Sequence, residues 1–361
     1  MRVGLIVYGG LEPVSGGFLY DRMLVEHLLN QSDQVEVIAL PWRPYLFNFA
    51  DNLSKAVIER LAAAKLDVLL EDELNHPSLC WLNRRLRRCF KYPIIAIVHH
   101  LRCCEARSSW QDDLYRWVER QYLRSVDGFV FNSHTTRSVV ESLIGPIRSS
   151  IIAYPAGDRL ISTFTPEQIR TRARVEGPLR ICFAGNLIPR KGLDTLITSL
   201  ARSITRDLDL RVAGSPTADP AYTARICRQI ARCGLADRVR ILGSLDANSL
   251  AKLFSRSHVL AVPSSYEGFG IVYVEGMAFG LPAIGTTAGA ASEIISHGEN
   301  GFLIDPGDSA ALADCLTILH QDRERLATMG IAARDHFEQH PTWQESMASI
   351  RRYLQSIVGA E

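Results

Sequence analysis

Twelve short apolar runs, in two sets of six with amphipathic stretches between most of them, constrain this chain's fold more than any other feature. The first set lies at 3–7, 35–40, 67–70, 94–98, 128–131 and 150–153. The second lies at 180–184, 208–213, 238–242, 259–262, 282–285 and 302–304. Continuous apolar runs belong to strands buried on both faces, and the helices between them supply the cover. The expected class is therefore α/β, with two doubly wound parallel sheets in tandem. A polar stretch over 156–178, punctuated by Pro155, Gly157, Pro166, Gly177 and Pro178, reads as the linker. The domains then fall at about 1–160 and 175–340. A last helix over 343–358 carries Trp343, Met347, Ile350 and Leu354 on one face. It can pack on the second domain or cross back to the first.

Composition removes several functions. A chain of 361 residues with 47% hydrophobic and 22% charged residues is globular, and a net charge of +1 provides no field for nucleic acid. The opening MRVGLIVYGG is too short to span a bilayer and lacks a signal peptide's cleavage region, so a cytoplasmic protein is expected. Eight cysteines occur without a C-x-x-C pair. Cys103 and Cys104 follow His99 and His100 closely, but without zinc-type spacing they read as a loop. No metal and no cofactor are expected.

Ligands of such sheets bind beyond the carboxyl ends of the strands. The richest loop there is PSSYEGFGIVYVEGMAFGLP, 263–282. Gly268 and Gly270 break the chain before a helix expected over 271–280, and glycines at such a turn let backbone N–H groups approach an anion. Glu267 precedes the helix and Glu275 lies inside it; carboxylates there suit sugar or ribose hydroxyls. A glycine-rich turn with two solvated acids fits the pattern as well.

The E-x7-E pair of Glu267 and Glu275, within E-G-F-G-x4-E-G-M-A-x-G-x-P, resembles the signature of the retaining glycosyltransferases of family 4. The resemblance covers the second domain, including 185–192, 289–293 and 300–301, and continues more weakly through the first. It implies the GT-B fold, two Rossmann-like domains facing across a cleft, and a nucleoside-diphosphate sugar as donor. The Gly185-Asn186-Leu187-Ile188-Pro189-Arg190-Lys191-Gly192 loop would then hold the diphosphate, with Lys191 on the family's lysine. Asn186 stands where many members carry arginine, and Arg190 can replace that cation. The Lys191 side chain is expected to face solvent. Glu267, with the backbone of Phe269 and Gly270, would hold the sugar ring, and Glu275 the ribose. His99, at the end of IIAIV, falls on the family's histidine facing the donor sugar, with His100 beside it. Gly16 and Gly17, with Gly9, Gly10 and Ser15, form the first strand-to-helix loop, which in the family approaches the donor or acceptor.

Other features carry less. Asp207 and Asp209 imitate a metal-binding D-x-D but read as a helix-to-strand turn, and Asp112-Asp113 suits a helix start. Asn132 and Ser133 read first as a helix cap. The stretch 79–91 is amphipathic and basic, either a peripheral contact with the inner face of a membrane or an ordinary covering helix. The aromatic segment Trp42 to Phe49 can line an acceptor groove. The acceptor itself, a glycan, a lipid-linked glycan or a small molecule, is not legible. Beside the transferase stand two alternatives, a sugar-nucleotide epimerase and a silent sugar-nucleotide-binding protein.

Overall fold

The computed structural model describes residues 1–12, 15–105 and 109–359. Each of the twelve apolar runs forms a strand, and every strand pairing is parallel. The chain divides into two compact units, Met1–Pro155 with Trp343–Glu361, and Ala156–Thr342.

The first unit holds β1 (Arg2–Tyr8), β2 (Gln34–Leu40), β3 (Val68–Asp72), β4 (Ile94–Val98), β5 (Gly128–Phe131) and β6 (Ser150–Ile152). Their order is β2-β1-β3-β4-β5-β6. The inner strands β3, β4 and β5 are buried at every residue, as continuous apolar runs require, while edge strand β2 leaves Gln34 and Ala39 exposed. The chain steps to one side of β1 for β2 and to the other side for β3. That reversal opens a crevice at the carboxyl ends of β1 and β3.

The second unit holds β7 (Leu179–Ala184), β8 (Leu208–Ala213), β9 (Val239–Gly243), β10 (Val259–Ala261), β11 (Ala283–Thr286) and β12 (Gly301–Ile304), in the order β12-β11-β10-β7-β8-β9. Here the reversal falls between β7 and β10. The loops that follow these two strands are 185–192 and 262–270, the two segments the sequence singles out.

The helix Trp343–Val358 belongs to the first unit, against the helix Gly16–Asn30. Its buried face is Trp343, Met347, Ile350 and Leu354, each worth about 1.5–3 kcal/mol of apolar burial. Polar contacts fix its register: Arg351 Nε donates to Asp33 Oδ2 at 2.6 Å, and the Tyr353 hydroxyl accepts from Phe129 N at 3.3 Å.

Two expectations need correction. The stretch 156–178 is not a plain connector, because Pro166–Ala173 is a helix of the second unit. Thr165 and Gln168 close a capping box at its start, and Pro166 occupies the first turn, where no N–H is needed. The basic stretch 79–91 matches the covering reading of the two offered, but in two helical pieces rather than one. The helix His76–Leu79 ends, Leu82–Cys89 begins, and Leu79, Leu82 and Leu86 lie in the core. Arg85 donates to Asn52 O, and Arg87 to Ser125 O and Asp127. These leucines are spent on the core of the first unit. No helix among the described residues is long and apolar enough to cross one.

Candidate functional site

In the second unit the loop after β7 meets the loop after β10. The loop after β7 tightens into a short turn, Pro189–Lys191, before the helix Leu193–Arg202. Ser265 N donates to Arg190 O at 2.8 Å, and Arg190 Nη1 donates to Tyr266 O at 3.0 Å, which ties the two loops together. Between them, Lys191 Nζ lies 2.6 Å from Glu267 Oε2, with Arg190 Nη1 3.9 Å from Oε1. Ser264 Oγ donates to the same carboxylate at 3.0 Å. Lys191 does not face solvent; its side chain is 15% exposed, drawn inward by the Glu267 carboxylate.

Burial alone would push the Glu267 carboxyl up, but the Lys191 and Arg190 cations and the Lys191 and Ser264 hydrogen bonds hold it at about 2. Burial pulls the Lys191 ammonium down while Glu267 pushes it back. The pair stays ionised. An anion set among two cations leaves the site with net positive charge, suited to a diphosphate.

Gly268, Phe269 and Gly270 are buried, and Phe269 lies 5.9 Å from the His340 ring. Gly270 caps the helix Ile271–Met277 at φ 100°, and a Cβ there would come within 2.4 Å of the Tyr273 ring. Only glycine fits that corner. Gly185 passes beneath the Lys191 stem, and the half-buried Asn186 accepts Ile188 N through its backbone carbonyl at 2.9 Å.

Glu275 is 3% exposed and pairs with Arg159. Burial raises its carboxyl above the usual range, with Arg159 opposing. Sequence reasoning missed Arg159, which sits in the stretch read as linker and belongs to no motif.

In the first unit a second group gathers at the crevice of β1 and β3. His99 follows β4 and is 8% exposed. Its N donates to Glu73 Oε2 at 3.0 Å, Asn132 Nδ2 donates to its carbonyl at 2.8 Å, and Nε2 lies 3.1 Å from Asp21 Oδ1. Gly16 and Gly17 open the helix Gly16–Asn30, which Ser15 caps. Gly17 lies against the His99 ring, where a Cβ would stand 3.2 Å from Cδ2. His100 turns elsewhere, with Nε2 3.0 Å from Glu105 Oε1. Ser133 caps the helix His134–Ile144, as its position suggests.

The acids around His99 were not anticipated. Burial pushes Asp21 up to about 7, with hydrogen bonding to Asp72 and the Arg22 charge opposing. Asp72 is raised by burial and by Asp21, and Glu73 by burial and by Asp72. Asp21 Oδ2 and Asp72 Oδ2 are both buried without a partner. Two buried acids this close disfavour charge on both at once, and each keeps one oxygen without a partner. Burial lowers His99, keeping the imidazole neutral. A signal for Asp21 does exist: it shares a helix face with Leu24, Val25 and Leu28, all of them core residues.

Among the described residues, Asp21, Asp72 and His99 are the group whose metal-type ligand atoms lie within 4.8 Å of one another. Cys103 and Cys104 do not join it, and all eight cysteines are free thiols. Asp209 lies on β8 and pairs with Arg211 at 2.5 Å, so the D-x-D imitation is a strand feature. The aromatic segment forms a short helix, Tyr45–Leu53, that leaves Trp42, Leu46 and Phe47 exposed.

Comparison with known proteins adds to this geometry. The family described as Glycosyl transferases group 1 matches residues 164–336, and the Glycosyl transferase 4-like domain matches 22–154. A GDP-mannose-dependent alpha-(1-6)-phosphatidylinositol monomannoside mannosyltransferase of Mycobacterium tuberculosis is 31% identical over 258 residues. That alignment covers 66% of this chain and 65% of the mannosyltransferase, short of two thirds of its length. Among solved structures, sucrose-phosphate synthase from Thermosynechococcus elongatus superposes with a TM-score of 0.86 over 99% of both chains, at 21% identity. HepE of Anabaena, solved in complex with UDP-glucose, superposes with a TM-score of 0.77 over 99% of both chains, at 20% identity.

Proposed function

Since the chain belongs to the group 1, family 4-like glycosyltransferases of GT-B fold, we propose that it moves a sugar from a nucleoside-diphosphate sugar to a hydroxyl acceptor with retention at the anomeric carbon. The observation that carries this reading is the Lys191–Glu267–Arg190 cluster at the reversal point of the second sheet. A lysine has three donors, so the ammonium held by Glu267 still has N–H groups for a diphosphate oxygen. Together with Arg190 it neutralises the charge that grows on the departing diphosphate. Glu267, fixed as an anion by its two cations and Ser264, accepts hydrogen bonds from the sugar ring. Glu275 accepts from the ribose, and Arg159 keeps it oriented. His99, neutral and held through Asp21, contacts the sugar hydroxyls. The acceptor is a small polyol or a lipid-linked one; the mannosyltransferase's name and the exposed Trp42, Leu46 and Phe47 support an acceptor with an apolar part.

The test is a thermal-shift screen against GDP, UDP and ADP, followed by turnover of the matching sugar conjugates. One diphosphate is expected to stabilise the chain by about 2.7 kcal/mol at a hundredfold excess over its dissociation constant. Glu275→Gln should weaken that diphosphate roughly tenfold through lost ribose contact, about 1.4 kcal/mol. If none of the three shifts the melting curve, the donor reading fails. A shift without transfer or hydrolysis of any conjugate would favour a silent binding protein.

The reaction is proposed to need no metal. Activity should survive EDTA, because Lys191 and Arg190 supply the charge a cation would otherwise bring. The Asp21–Asp72–His99 group makes this a sharp measurement. Loss of turnover with chelator, restored by Mn²⁺ or Mg²⁺, would reverse the assignment.

A further inference from the structure

A cavity of about 570 Å³ opens at the opposite end of the second sheet's strands, beside the start of β7, with Phe164, Thr171, Arg172, Val175, Arg180 and Arg256 in its wall. Arg180 is the second residue of β7, and Gly185 follows that strand's last. Five residues at roughly 3.3 Å each put about 16 Å between this cavity and the diphosphate loop. It is a separate site.

Its surface is largely carbon, yet its charges are all of one kind at depth. Arg172 is 9% exposed, and its guanidinium lies 5.0 Å over the Phe164 ring. Nη2 donates to Gly280 O at 2.7 Å, while Nη1 is buried without any partner. Arg180 Nε donates to Arg256 O at 2.5 Å, and Arg323 Nη2 donates to Gly177 O at 2.8 Å. Among the described residues, none of these three guanidiniums forms an ion pair with a carboxylate. Asp209, the acid that acts on Arg180 at longer range, is taken by Arg211. Glu167, in the cavity wall, is exposed and leans to Arg170 at 3.8 Å. Behind the cavity, burial and then the charges of Arg180, Arg323 and Arg172 push His258 down to about 3, against its hydrogen bond to Arg172 O.

Arg180 and Arg256 stand in the wall without a carboxylate partner among the described residues, and such guanidiniums suit an oxyanion. A carbon-lined cavity of this volume lies in the range that holds an organic ligand. We propose that this cavity binds an anionic amphiphile, a phosphate or carboxylate on an alkyl body, with Arg180 and Arg256 on the anion and Arg172 buried in the wall against Phe164.

The experiment is calorimetric titration of the full chain with monododecyl phosphate below its micellar concentration. Dodecanol and inorganic phosphate are the separate arms. Saturable single-site binding is expected for the alkyl phosphate, with both fragments weaker by roughly tenfold or more. Arg256→Glu, at an exposed position, should leave the melting curve unchanged and weaken the alkyl phosphate by roughly tenfold. Arg180→Gln should do at least as much. Saturating GDP or UDP should not compete. Dodecanol binding as well as the phosphate would leave only an apolar slot, and inorganic phosphate binding as well would leave only an anion site. Either result overturns the proposal, as does native affinity in Arg256→Glu and Arg180→Gln together.

Discussion

Lys191→Ala is expected to cut kcat/KM for the sugar donor by roughly a hundredfold, about 2.7 kcal/mol of lost transition-state stabilisation, and to lower the melting temperature as well. The catalytic loss follows from removing one of two cations that meet the leaving diphosphate. The stability loss follows from the buried geometry. Glu267 is 8% exposed, and Lys191 is its nearest cation at 2.6 Å. Without Lys191 the buried carboxylate keeps only Arg190 at 3.9 Å and the Ser264 hydroxyl, at a cost on the order of 3 kcal/mol. A double variant separates the two effects. Adding Glu267→Gln to Lys191→Ala replaces that carboxylate by a neutral amide, so the melting temperature should recover while kcat/KM does not. Turnover within about twofold of the native chain, worth only ~0.4 kcal/mol, would remove Lys191 from the site.

The acids of the first unit give the second large effect. Asp21 ionises near 7 in the folded chain and at 3.8 ordinarily, and Glu71, buried with Asn83 donating to Oε2, ionises near 8 against an ordinary 4.5. Between the lower and upper values the folded state holds protons that the unfolded state has released. The contribution of these two acids is therefore full at low pH and falls as pH rises through these windows. His76, His99 and His258, all lowered, act in the opposite sense, but only below the ordinary histidine value of 6.5. Above pH 6.5 the acids dominate. The native chain should lose stability from pH 6.5 to 8, and Asp21→Asn should be more stable at pH 8 by up to about 4 kcal/mol. Each kcal/mol moves the melting temperature of a domain this size by roughly 2–4 °C. Melting curves that coincide for the two proteins at pH 8 would show that Asp21 carries no such strain.

The strands were legible because their apolar runs are unbroken, and a run buried on both faces leaves no other reading. The helix Pro166–Ala173 was not, because it buries few side chains and proline punctuates it from the first turn. Glu267 and Lys191 were legible through the spacing of their loops, although their direct contact was not. A side chain's solvation depends on what lies across from it, here 76 residues along the chain. Arg159 illustrates the same limit: its partner is 116 residues away, and neither residue announces the other. Asp21 was legible in principle, as an acid on a core-facing helix stripe, but only burial shows that it meets Asp72 and His99.

The helix Trp343–Val358 gives the first unit an unusual birth. That unit is one body in space and two pieces in sequence, with all of Ala156–Thr342 between them. A ribosome delivers its six strands early and its closing helix about 190 residues later; at ~5–20 residues per second that is a wait of roughly 10–40 seconds. During that interval the groove that will take Trp343, Met347, Ile350 and Leu354 is open, and Asp33 has its amino-terminal partner without Arg351. The second unit, unbroken in sequence, can finish first. The domain that is synthesised first is therefore completed last, and its apolar groove is the surface a chaperone would meet on the nascent chain.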